Sequence, residues 1–75
     1  MFHTIEFRAD FTTDLETSPQ HRPEHLRVLK GTRVVAALRP YVVETTPGPI
    51  EVADLYFEDG TITRAVGFAQ FRFAD

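Results

Sequence analysis

The chain contains no cysteine, which removes disulfides and thiolate-bound zinc, the usual staples of a small domain with a thin core. It has a single serine, Ser18, and a single lysine, Lys30. Nucleophilic catalysis needs an activated Ser, Thr or Lys beside a base, so the choice of nucleophile is narrow. Long apolar runs are missing too. Met1 to Asp10 carries Glu6, Arg8 and Asp10 and reads neither as a signal peptide nor as a membrane span. The expectation is a cytoplasmic protein with no membrane partner. Apolar residues never recur at i, i+3, i+4 and i+7 over the three turns or so that a stable helix needs.

What is present is ordinary for a globular chain. Of 75 residues, 43% are hydrophobic and 25% charged, which supports one core and not two. The whole of 1–75 is therefore expected to be a single domain. Its stability must come from packing, helped by a partner subunit, so a homo-oligomer is one expectation. The net charge of -3 weighs against general phosphate binding, because nucleic-acid affinity rests on clustered Lys and Arg. The charges are nevertheless patterned. Residues 25–40 carry only the bases Arg27, Lys30, Arg33 and Arg39, while residues 41–60 carry only acids.

Strand signals dominate the chain. His3, Ile5 and Phe7 share one parity in Phe2 to Phe7, the period of a half-buried strand. Periodicity is lost in a long polar loop at residues 10–24, rich in Thr and Pro, with room for one helical turn near Asp14-Leu15-Glu16. A connection of that length is often functional, so it is the first place to look for a site. His25 to Leu29 reads as a short strand, Lys30-Gly31-Thr32 as a tight turn, and Arg33 to Thr45 as a long strand bent near Pro40, which cannot donate to a ladder. After the turn Thr46-Pro47-Gly48-Pro49 come strands at Ile50 to Phe57 and Thr61 to Val66, and a final one at Phe68 to Phe73 beyond Gly67. The fold class is all-β: about five to six short antiparallel strands forming a small barrel or rolled sheet.

The hairpin at Asp59-Gly60 is the clearest local signal, and it admits two registers. One opposes Phe57 to Ile62 and Ala53 to Val66, which collects apolar residues on one face with Arg64 as an intruder. The other opposes Asp54 to Arg64 and Tyr56 to Ile62. A slip of one residue moves a whole apolar set to the other face. The first register segregates apolar from polar residues better and is the expected one.

Chemical motifs are weak. Val66 to Phe73 can be laid on the RNA-recognition pattern through Gly67, Phe68, Ala69 and Phe73. Val66, Gln70 and Phe71 depart from it, and that fold needs two helices, so the family is not claimed. His21 and His25, with His3, invite a metal reading, but Pro23 breaks a helical i,i+4 pair and an extended chain separates them by about 13 Å; no metal or cofactor is expected. Ser18 near His21, with Asp14 or Glu16 behind it, lies on a polar loop too loose for catalytic geometry. Glu58 and Asp59 read as solvated turn residues. Arg27, Arg33 and Arg39 share odd parity and either form a guanidinium patch or are neutralised by acids on neighbouring strands such as Asp54.

No catalytic site is assigned. The leading expectation is a small non-enzymatic binding or regulatory module. It would recognise a protein partner, or itself, through a strand edge or through Arg39, Tyr41, Phe68 and Arg72. The alternative is a small-barrel single-stranded nucleic-acid binder using the same four residues, by stacking and phosphate contact.

Overall fold

A computed structural model describes residues 1–16 and 24–75. Seven strands follow in chain order: β1 (Phe2–Phe7), β2 (Phe11–Leu15), β3 (Glu24–Val28), β4 (Arg33–Thr45), β5 (Gly48–Phe57), β6 (Ile62–Gly67) and β7 (Phe71–Phe73), with one 3-10 turn at Phe68–Gln70 before β7. Five of them form an antiparallel sheet in the order β6-β5-β4-β1-β7, and β2 and β3 pair separately. The two sheets are joined through Glu16 and Ile62, which exchange main-chain hydrogen bonds of 2.7 and 2.8 Å. The all-β expectation holds. Among the described residues no helix is long and apolar enough to cross a membrane.

The core lies on one face of the larger sheet. Ile5 and Phe7 of β1 are buried there with Ala36, Ala53, Leu55, Val66 and Phe71, and Val28 of β3 closes over them. The period-2 pattern of β1 thus places its apolar parity inward. Burying a side chain the size of Phe7 or Leu55 contributes about 1.5–3 kcal/mol. The strand stops after Phe7, whose carbonyl accepts the Gly31 amide, while the Arg8 amide turns to the Gln70 carbonyl at 2.7 Å. A second strand, β2, begins at Phe11, inside the stretch expected to be a loop. The helical turn expected near Asp14 is strand, and the remainder of that loop, residues 17–23, lies outside the described residues.

The β5–β6 hairpin corrects the expected register. Tyr56 opposes Ile62 and Leu55 opposes Thr63 near the turn, whereas Ala53 opposes Val66 and Val52 opposes Gly67 farther along. Both registers are present, divided by a bulge at which Asp54 faces Arg64 and Ala65 together. The extra residue shifts parity, so Thr63 and Val66 both point inward while Arg64 stays exposed. An unbulged β6 would carry Arg64 onto the same face as Val66. The turn is the three-residue form: the Phe57 amide donates to Thr61 and the Gly60 amide to Phe57, with Gly60 at φ +88. The Asp59 carboxylate accepts from the Thr61 amide and hydroxyl, at 3.0 and 2.6 Å. Those two contacts, the hydroxyl first, hold its pKa below the usual carboxylate value.

β4 pairs continuously with β5 from Ala36 to Thr45, straight through Pro40. The Thr32 carbonyl, just before β4, accepts from Phe7 of β1, so even-numbered positions of this strand turn their main-chain groups toward the β1 side. β1 reaches no farther along β4 than Ala37. Pro40 therefore lacks its N–H on a side that no strand among the described residues meets, where the loss leaves no ladder bond broken. The β5 partners of that stretch still meet β6 as far as Val52, opposite Gly67, and only past Tyr41 and Val52 do β4 and β5 pair with each other alone among the described residues. They form an arm that bears Tyr41, Val42 and Ile50, exposed by 37, 61 and 45%.

Candidate functional site

The β2–β3 pair packs over the core face and leaves a cleft of about 410 Å³ between β3 and the larger sheet. Its floor is Phe7, Leu15, Leu26, Val28, Val34 and Phe57, with Arg27, Glu58, Asp59, Thr32 and Thr61 around them. Leu26 and Val28 reach it because they share a parity, while His25 and Arg27 on the other parity are exposed. The volume falls in the range of about 300–1,000 Å³ typical of ligand clefts.

The main chain beside the cleft is unusual. Glu16 faces Ile62, and the Asp14 carbonyl accepts the Thr63 hydroxyl at 2.8 Å, so even-numbered positions of β2 point to β6 and odd ones to β3. Thr13 opposes Leu26 and Thr12 opposes Arg27. Within β3 it is thus Leu26 and Val28 that exchange hydrogen bonds with β2. The amide and carbonyl of His25 and Arg27 face away from it, and no strand among the described residues pairs with that side. Arg27 also makes no ion pair among the described residues, whereas His25 meets the Asp14 carboxylate at 3.1 Å.

The four residues singled out from the sequence are not brought together as one exposed patch. The Arg72 side chain donates to Glu6 at 3.1 Å, and Arg33 donates to the other oxygen of the same carboxylate at 2.9 Å. The hydrogen bonds from Arg33 and then Arg72 hold the Glu6 pKa below its usual value. Phe68 is half-buried, packed on the core with its ring 5.2 Å from that of Phe71. It lies in the 3-10 turn and not in a continuous final strand, which corrects that expectation. Arg39 is exposed opposite Asp54 in register but makes no ion pair among the described residues.

Tyr41 belongs to a polar network built around the buried Asp54. Its hydroxyl donates to Asp54 at 2.8 Å, and Asp54 also accepts from Arg64 at 3.2 Å and from the Ala65 amide at 2.9 Å. Arg64 reaches on to Glu16 at 2.9 Å, and that bond is the first reason its pKa is raised. Burial works against a charged Asp54, which is 3% exposed. The Ala65 amide, Tyr41 and Arg64 outweigh it, and the net shift is downward. The same contact, with burial, pushes the Tyr41 phenol up. Asp54 is therefore neutralised by Arg64 rather than by Arg39.

Other sequence readings come to little. Among the described residues no group of three His, Asp or Glu side chains could hold a metal. His3 lies instead beside Asp75 at 3.1 Å. Ser18 and His21 fall outside the described residues, and their proposed orienting acids Asp14 and Glu16 are engaged with His25 and Arg64. The cleft and the free β3 edge are what sequence reasoning missed. The alternation of Leu26 and Val28 against His25 and Arg27 was a signal for the edge. Nothing local announced the cleft, which arises between two sheets. No protein-family model, curated protein or solved structure matches the chain.

Proposed function

We propose that this chain is a non-enzymatic binding module that takes an extended segment of a protein partner into the cleft as an additional strand along β3. The carrying observation is the main chain of Arg27, which no strand among the described residues meets on its outer side, beside an apolar floor. Strand addition works through such a pairing, main-chain hydrogen bonds giving affinity and pockets for alternate side chains giving specificity. In this reading the two sheets make a small barrel left open along β3, and the incoming strand completes it. Nucleic-acid binding has less support, because Arg72 is neutralised by Glu6 and Phe68 packs on the core.

Arg27→Pro tests the edge directly. Its amide faces away from β2, so proline there leaves the β2–β3 ladder intact while deleting the outward donor. A panel of twelve-residue peptides alternating apolar and polar residues serves as the probe. Binders should shift the Arg27, Val34 and Phe57 amide resonances of the native chain and lose at least tenfold in affinity against Arg27→Pro. No binder in the panel, or equal binding by the variant, overturns the reading.

A further inference from the structure

Arg27 stands between Leu26 and Val28, which line the cleft, and its own exposed side chain reaches the cleft's mouth. On its face of the β2–β3 pair it lies opposite Thr12 and makes no ion pair among the described residues. The acids two positions either side of Thr12 are engaged elsewhere. The Asp14 carboxylate lies 3.1 Å from the His25 ring, and Asp10 Oδ1 accepts the Lys30 amide at 2.6 Å. On the opposite wall Asp59 is held by Thr61, while Glu58 is exposed and makes no ion pair among the described residues. The two walls of the cleft thus carry opposite charge, Arg27 on β3 and Glu58 on the hairpin.

We propose that the partner strand carries an acidic side chain opposite Arg27, flanked on both sides by apolar residues turned onto the cleft floor. This specificity rests on strand addition along β3 and narrows the partner to a segment of alternating apolar and acidic character. Arg27 turns its amide and carbonyl away from β2, so in an antiparallel pair one residue of the incoming strand stands directly opposite it. That side chain emerges on the Arg27 face, with the two Cβ atoms about 4.5–5.5 Å apart, where opposite charges attract and like charges repel. Its neighbours in the strand point the other way, toward Leu26, Val28 and Phe57. Main-chain hydrogen bonds to β3 fix the distance to Arg27, whereas Glu58 stands on the wall to which the added strand is not bonded. Arg27 therefore decides which charge is taken.

Three nine-residue peptides test it, alternating threonine and valine and differing only at the central residue, which is glutamate, glutamine or lysine. Each is titrated into the native chain while the Arg27, Val34 and Phe57 amide resonances are followed. The glutamate peptide should bind about fivefold more tightly than the lysine peptide, with glutamine between them. In 1 M NaCl, where screening acts within about 3 Å, the three affinities should converge. Arg27→Glu should reverse the order, and Arg27→Gln should remove the preference for glutamate; circular dichroism confirms that both variants fold, which this exposed position permits. Equal binding of all three peptides by the native chain at low salt overturns the acidic specificity and leaves strand addition standing. Tighter binding of the lysine peptide overturns it as well, since the hairpin wall would then dominate, and so does an order unchanged in Arg27→Glu. If no peptide shifts those amides, strand addition falls and this specificity with it.

Discussion

The carboxylate of Asp54 accepts the main-chain amide of Ala65 at 2.9 Å across the β5–β6 pair. Ala65 is the one non-glycine residue among those described with positive φ, at 57°, a conformation that costs an alanine of order 1–2 kcal/mol. The bulge therefore exists because a buried acid holds it. Asp54→Ala should lower stability by about 1–3 kcal/mol, since it removes the acceptor while leaving the Ala65 amide and Tyr41 hydroxyl to find others. Ala65→Gly should instead stabilise, by about 0.5–1 kcal/mol, by relieving the strain. Urea unfolding of both variants checks this; a destabilising Ala65→Gly would mean that the bulge is not strained.

Glu6 predicts how stability responds to acid. Its folded pKa lies below the usual 4.5 because Arg33 and Arg72 donate to it, and Asp54, Asp59 and Asp75 are likewise shifted down from 3.8. A depressed carboxylate contributes stability that is complete above its unfolded pKa and is lost as the pH falls through the folded one. The thermal midpoint should therefore be flat above about pH 5 and fall steadily below it. Glu6→Gln should flatten part of that fall and lower the plateau slightly. An unchanged acid slope in Glu6→Gln would show that the two guanidinium contacts do not persist in solution.

Thr63 fastens β2 to the larger sheet. It is 1% exposed, lies 2.7 Å from the Thr13 hydroxyl and donates to the Asp14 carbonyl at 2.8 Å. Thr63→Val keeps the volume and removes the hydroxyl, leaving the Thr13 hydroxyl and the Asp14 carbonyl short of a partner. The expected loss is about 1–3 kcal/mol, with faster hydrogen exchange at Phe11–Leu15 than in β1. Thr63→Ser should retain the slow exchange. Equal exchange in native and Thr63→Val protein would remove this role from the hydroxyl.

These residues also show where the sequence was legible. His3, Ile5 and Phe7 announce β1 because one face of that strand meets a continuous core, and Asp59-Gly60 announces its turn because few residues accept the φ of Gly60. The strand β2 was hidden because Thr12, Thr13 and Asp14 interrupt its apolar pattern, and the group that satisfies Thr13 lies 50 residues away at Thr63. The hairpin register was hidden for a similar reason. Either register satisfies one half of β6, and the choice to use both depends on Asp54 reaching Ala65 from the opposite strand. Of the site, Arg27 was visible as an outward residue. The cleft beside it was not, because it is a gap between elements whose packing no local pattern records.

Pro40 predicts what keeps the arm from adding strands at its edge. The segment Leu38–Thr45 has main-chain groups on the β1 side that no described strand meets, and Val42 on it is 61% exposed. Such edges are templates for intermolecular pairing unless something blunts them, and proline is a recognised means. Pro40 removes a donor from within this edge and separates that of Leu38 from those of Val42 and Glu44, so that no continuous ladder can form. Pro40→Val restores the donor and a β-branched side chain without touching the β5 pairing. It should yield concentration-dependent assembly with added β signal in circular dichroism. That assembly should persist in 1 M NaCl, because main-chain hydrogen bonds and buried apolar side chains are not screened. If Pro40→Val behaves as the native chain does at 500 μM, the edge is protected by the twist of the arm and not by the proline.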